Sequence, residues 1–246
     1  MEMFNDAHVH FGQRGAFDPS DELASLMDDM NRNNIKRVFI FPVLPGLESN
    51  LTMSQEIKKT RETSERFILF AYLNPVKSTV EELELLLSQQ GFRGIKLHPR
   101  SSKFAIDDFV LLDPWMRVAE TYNCHVIVHC TSDDSYCSPL QMERLVKRYQ
   151  NVTFQMAHLG AIWNCSEGIE VVKRNDNLYA DTSIVSYSAV KRAIKEIPKQ
   201  LLLGTDYPFY RFEMEQLKLN LAVEDTSSLR KVACANFDTL CSHHNY

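Results

Sequence analysis

The chain has no apolar run approaching the ~18 residues that a membrane-spanning helix needs, so no membrane partner is expected. It has no excess of basic charge. Its 27 Lys and Arg stand against 32 Asp and Glu, and the net charge of −5 offers no field for nucleic acid. Its six cysteines contain no Cys-x-x-Cys spacing. The first strand-like run begins almost at Met1, so no secretory or transit segment is expected before it. A large chain of that kind is expected to keep its thiols reduced in the cytoplasm. No Pro/Gly-rich linker, low-complexity tract or composition shift divides the sequence, so residues 1–246 are expected to form one domain.

What is present is ordinary in composition and regular in order. The 246 residues are 44% hydrophobic and 24% charged, enough for one large domain with a sizeable core. Eight short apolar runs read as buried strands: Phe4–His10, Arg37–Pro42, Phe67–Leu73, Gly94–His98, Val126–His129, Val152–His158, Leu178–Asp181 and Leu201–Thr205. Between them lie segments with helical apolar spacing, such as Leu23, Leu26, Met27 and Met30, or Val80, Leu83, Leu86 and Leu87. Asp18-Pro19-Ser20-Asp21, Asp113-Pro114 and Ser138-Pro139 supply helix-start chemistry. Alternating strand and helix implies parallel strands joined by right-handed crossovers. Eight such units in about 250 residues fit a closed (β/α)8 barrel better than an open sheet. The tail from Asp225 to Leu240 reads as a last helix. Residues 242–246 read as a frayed end, with His243-His244 solvated.

The informative feature is what stands at the downstream end of the strands. His8 and His10 end the first, His129 the fifth, His158 the sixth, and Asp206 follows the eighth. In a parallel sheet these side chains meet at one rim. Residues two apart on a strand face the same side, so His8 and His10 point together. Imidazoles and a carboxylate gathered there suit a divalent transition metal. Taken alone, His8-Val9-His10 reads equally well as a pair of packed, hydrogen-bonded histidines, and Asp206 as a turn or helix-cap residue. Recurrence at further strand ends favours a site. His125 begins the strand that His129 ends, roughly 13 Å away at ~3.3 Å per residue, and is expected at the barrel bottom or surface. Lys96 and His98 share the fourth strand's inner face. They read as a paired, partly buried lysine and a supporting or substrate-binding histidine; the alternative for Lys96 is a carbamylated bridge between two metals. Asp181 is expected to be structural or to support the metal ligands. Arg14, Arg100 and Arg211 follow strands and could bind an acidic substrate, or be surface residues. Trp163, Tyr207, Phe209 and Tyr210 form a candidate apolar wall.

The order of Asp6-Ala7-His8-Val9-His10, Gly94-Ile95-Lys96-Leu97-His98-Pro99, Val128-His129, Ala157-His158-Leu159-Gly160 and Gly204-Thr205-Asp206-Tyr207-Pro208-Phe209 resembles the amidohydrolase superfamily. The resemblance is nearest to its "amidohydrolase 2" branch, which includes aminocarboxymuconate-semialdehyde decarboxylase, and it covers the whole chain. It implies a distorted (β/α)8 TIM barrel. It implies one divalent metal, usually zinc, on His8, His10, His129 and Asp206, with His158 catalytic and Asp206 a proton shuttle. The expected activity is hydrolysis of a small, carboxylate-bearing molecule by metal-activated water, with Arg14, His98 and Arg100 as substrate-binding residues. The alternatives are a non-oxidative decarboxylase on the same site and a non-catalytic small-molecule-binding barrel. A homodimer is compatible with this reading. The chain is short for the branch, so lid insertions that shape some family pockets are expected to be reduced.

Overall fold

A computed structural model describes residues 3–12, 19–60, 64–161 and 163–246, with the side chains of 19–21 outside the description. Eight strands run in order around one sheet: β1 (Phe4–Phe11), β2 (Ile35–Pro42), β3 (Phe67–Tyr72), β4 (Gly94–Leu97), β5 (His125–His129), β6 (Thr153–Ala157), β7 (Leu178–Asp181) and β8 (Leu201–Leu202). Every neighbouring pair is parallel. The backbone past β8 returns to β1 and closes the ring. Leu203 accepts from the Ala7 amide at 2.8 Å, Tyr207 from the His10 amide at 2.7 Å, and Val9 forms a parallel bridge with Tyr207. The molecule is a single-domain (β/α)8 barrel, as the alternating pattern predicts.

The helices are α1 (Pro19–Arg32), α2 (Leu47–Lys59), α3 (Val80–Gln89), α4 (Pro99–Ser102), α5 (Phe109–Thr121), α6 (Pro139–Arg148), α7 (Ser166–Lys173), α8 (Tyr187–Glu196), α9 (Phe212–Ala222), α10 (Thr226–Arg230) and α11 (Asn236–His244). Ser138 and Thr79 open α6 and α3 with complete capping boxes, each hydroxyl taking the N3 amide while the N3 side chain returns to the cap. Asp113-Pro114 does not open a helix. Asp108 caps α5 instead, and Pro114 lies inside it. The carbonyl that Pro114 cannot bond belongs to Val110, which is 91% exposed, so water can satisfy it.

Alternation along each strand divides the apolar residues into two layers. Val38, Ile40, Leu69, Ile95, Leu97, Val126 and Val128 face the helices, while Phe39, Phe41, Ile68, Phe70, Tyr72 and Ile127 fill the barrel interior. A register shift between Asp6 and Val9 interrupts the period on β1. It lets Ala7 join the interior cluster while His8 and His10 still share the upper rim.

The C-terminus is not frayed. Phe237, Leu240, Cys241 and Tyr246 plug the barrel bottom against Phe39 and Phe70. The Tyr246 hydroxyl accepts from the His125 amide at 3.0 Å and donates to the Arg93 carbonyl at 2.6 Å. His244 is buried, with Nδ1 2.7 Å from the Asn123 carbonyl oxygen. His125 is fully buried at this end, so the bottom, and not the surface, is its place.

Candidate active site

The upper rim gathers the residues at the strand ends. His8 Nε2 lies 3.2 Å and His10 Nε2 3.0 Å from the same oxygen, Asp206 Oδ1. Their ligand atoms all fall within 4.8 Å of one another. Asp206 and His158 both adopt left-handed backbone, at φ 64° and 62°. Such conformations cost a non-glycine residue on the order of 1–3 kcal/mol, and here they turn each side chain off its strand end toward the rim. Gly204 lets the β8 end approach β7, because a Cβ there would lie 2.9 Å from the Asp181 Cβ.

His129 lies beside this trio rather than within it. Its Nδ1 is 3.1 Å from His158 Nε2, and its ring stacks on His98 with centroids 3.8 Å apart. Lys96 is 1% exposed, not partly buried. Its Nζ is 3.1 Å from His8 Nε2 and 4.4 Å from the Phe41 ring centroid.

Asp181 is the hub beneath. Oδ2 takes His8 Nδ1 at 3.0 Å and Gln155 Nε2 at 2.7 Å. Oδ1 takes the amides of His158 and Ser183, each at 3.1 Å, together with the Ser183 hydroxyl. Ser183 Oγ is 2.7 Å from His158 Nδ1. Asp181, His8 and His158 also form a three-donor cluster, but this carboxylate is already saturated by hydrogen bonds. The open donor set is therefore His8, His10 and Asp206. Gln155 and Ser183 are parts of the site that no strand-end pattern signals; both are fully buried polar residues.

Burial governs the electrostatics. It lowers His10 and His158 to about 4, with the His8 charge adding to the effect on His158. It lowers His98 to about 2, helped by Lys96, and pushes Lys96 down to about 8 against the pull of Asp206 and Asp181. His129 is lowered as well, by burial and then by His158. For Asp181 and Asp206 burial works toward protonation, but it is outweighed. The charge and hydrogen bond of His8 hold Asp181 below the usual carboxylate range, and hydrogen bonds from His10 and His8 hold Asp206 there. Among these imidazoles His8 alone is raised: burial, then the Lys96 charge, opposes its protonation, but the charge and hydrogen bond of Asp181 and the hydrogen bond of Asp206 outweigh them. Ionised carboxylates beside imidazoles are the donor set that zinc and similar divalent cations take, the metal displacing the imidazole proton it replaces.

A cavity of about 630 Å³ opens above these groups. Lys96, His98, Ser101, Tyr72, Phe209 and Tyr210 line it, with Val43, Leu44, Pro45 and Ile184. Arg100 is exposed on α4 and does not line it, since the short helix after His98 carries that side chain away. Arg211 is held 3.0 Å from Asp29. Arg14 lies outside the described residues. Of the apolar wall, Phe209 and Tyr210 are in place. Tyr207 is instead buried, its hydroxyl 3.0 Å from Asp29, and Trp163 is 88% exposed.

A family profile described as Amidohydrolase matches residues 6–236. No curated protein sequence matches the chain. Among solved structures, a probable 2-pyrone-4,6-dicarboxylic acid hydrolase from Acinetobacter baumannii, with citric acid bound, aligns at 15% identity over 100% of both chains with TM-score 0.73. A 2,6-dihydroxybenzoate decarboxylase from Rhizobium aligns at 15% identity over 100% of this chain and 99% of that one, TM-score 0.72. A dihydroxybenzoic acid decarboxylase from Polaromonas, with bound manganese and the inhibitor 2-nitroresorcinol, aligns at 14% identity over 98% and 97%, TM-score 0.72. At these identities the likeness establishes the barrel fold.

Proposed function

The chain belongs to the amidohydrolase family, and from that premise we propose that it is a metal-dependent hydrolase of a small molecule bearing a carboxylate. The observation that carries this reading is the convergence of His8, His10 and Asp206 at the floor of an open cavity with no other carboxylate among its described lining residues. One divalent metal would be held by His8, His10 and Asp206 with His129 as a fourth donor. Zinc is the metal we favour, while one structural relative carries manganese. Such an ion supplies Lewis-acid polarisation and acidifies a bound water.

The chain's own residues do the rest. Asp206, ionised and central, accepts a proton from the attacking water and delivers it to the leaving group. His158, neutral at pH 7, lines the same cavity and serves there as an acid–base group, taking up a proton at Nε2. Lys96 and His98 give the cavity a positive and hydrogen-bonding floor, and Phe209 and Tyr210 give it an aromatic wall on one side. Arg14 is our candidate clamp for the carboxylate.

A second reading, decarboxylation on the same site, is favoured by the relatives that act on dihydroxybenzoates. The test is turnover of a panel of esters, lactones and aromatic or aliphatic carboxylates by metal-loaded protein. Hydrolysis without release of carbon dioxide supports the first reading and release of carbon dioxide the second. No turnover by metal-replete protein across the panel would leave a binding protein. The cytoplasm is the compartment we propose, and a homodimer is compatible with this reading.

A further inference from the structure

Asp181 is not a cavity residue, yet it touches more of the site than any ligand does. Five hydrogen bonds end on it, and two of the chains they begin run into the cavity. One is direct, from His8 Nδ1. The other passes through Ser183 to His158 and on to His129. The direction of every proton in that second chain can be deduced. Asp181 accepts two backbone amides on Oδ1 and the Gln155 amide on Oδ2, so it is the acceptor here and the single Ser183 hydroxyl proton goes to its Oδ1. The Ser183 oxygen is then an acceptor toward His158, which must carry its proton on Nδ1. An imidazole with its one proton on Nδ1 holds a lone pair on Nε2. His129 therefore donates from Nδ1 to that lone pair, and its own Nε2 is left unprotonated.

We propose that Ser183 is a positioning residue that fixes the tautomers of His158 and His129 through this chain, so that His129 presents a bare Nε2 to the cation site. The proposal deepens the metal-centre reading and rests on it for its last link only. A neutral imidazole binds a metal through the nitrogen that lacks the proton, and the partner of the other nitrogen decides which that is. Ser183 makes this choice two residues away from Asp181, the group that makes the same choice for His8. One buried carboxylate thus sets the tautomer on both sides of the site. A purely structural serine would have no such effect, because its backbone amide already anchors the turn on Asp181.

The test begins with metal-free protein labelled with 15N in its histidines. The wild type should show His158 and His129 as Nδ1–H tautomers in long-range 15N–1H spectra at pH 7.5. In Ser183→Ala both should move toward the Nε2–H form, and Ser183→Thr, which keeps the hydroxyl, should restore the wild-type pattern. Competition titration with zinc should then show affinity falling about 10- to 100-fold in Ser183→Ala and recovering in Ser183→Thr. An Nε2–H tautomer for His158 in the wild type would overturn the proposal without any variant having to fold. So would tautomers unchanged in Ser183→Ala, or altered tautomers with unaltered zinc affinity. If the wild type binds no zinc at all, the metal reading fails, while the tautomer spectra still decide the role of Ser183.

Discussion

Among single residues, His158 and His10 lie in the same cavity and are lowered to the same extent, yet they are assigned different work. His10 Nε2 faces Asp206, whereas both His158 nitrogens are engaged by Ser183 and His129. His158→Ala should therefore retain most of its metal and lose turnover on the order of 10²–10⁴-fold, the range for an acid–base group. Metal content and rate measured on one preparation check this, and metal lost as completely as in His129→Ala, beyond the about 10- to 100-fold weakening expected from removing the partner of His129, would make His158 a ligand. Arg14→Ala should raise KM for an acidic substrate about ten- to a hundredfold at constant metal content, as befits one charge-assisted contact of ~1.5–3 kcal/mol. Unchanged kinetics would leave carboxylate recognition to Lys96 and His98. The strand-end histidines and Asp206 were legible in the sequence because strand periodicity fixes where a strand ends and which way its residues face. Ser183 and Gln155 were not, since a serine and a glutamine carry no chemistry that stands out until a buried carboxylate is placed beside them. Arg100 misled for the opposite reason. Its position after β4 is right, but one short helical turn aims it at solvent.

Among elements, the strands were nearly all read within a residue or two, because parallel strands buried on both faces appear as uninterrupted apolar runs. A helix start is legible where the cap and Pro at N1 coincide, as at Ser138-Pro139, while at Asp113-Pro114 the same pattern lies inside α5, which Asp108 caps further upstream. The Ser138 capping box gives a direct test of that local chemistry. Ser138→Ala should cost about 1 kcal/mol, a fall in melting temperature of roughly 2–4 °C for a chain of this size, with metal content untouched. No change in melting temperature would mean that the α6 amides find other partners. The C-terminal residues were misread because a short polar tail with two histidines looks solvated. Only the barrel bottom, with Phe39 and Phe70 in need of cover, explains why Tyr246 and His244 fold inward.

At the scale of the whole molecule, the barrel separates a reactive rim from a stabilising base, and the two should respond independently. At the base, neither ring nitrogen of His125 has a hydrogen-bond partner among the described residues, and the ring sits edge-on to Phe39 and Phe70. Burial, then the His244 charge, lowers its pKa well below 6.5, against a weaker pull from Asp181. The unfolded chain therefore takes up this proton as pH falls through 6.5 while the folded chain does not. Stability is present above that pH and lost below it, at up to about 1.4 kcal/mol per pH unit for one group. His125→Phe should flatten this acid limb and add about 1–2 kcal/mol at pH 7.5, as read by denaturant unfolding across pH. Destabilisation at pH 7.5 would mean that the imidazole nitrogens are satisfied after all. The account as a whole turns on the cation site at the other end. Its most direct test is elemental analysis of gently purified protein, followed by zinc and manganese titration of the metal-free form, for the wild type, His10→Ala and Asp206→Asn. The prediction is one divalent metal per chain in the wild type, with binding lost or sharply weakened in both variants; a wild type that neither carries nor takes up metal, or that holds two ions per chain, would contradict it.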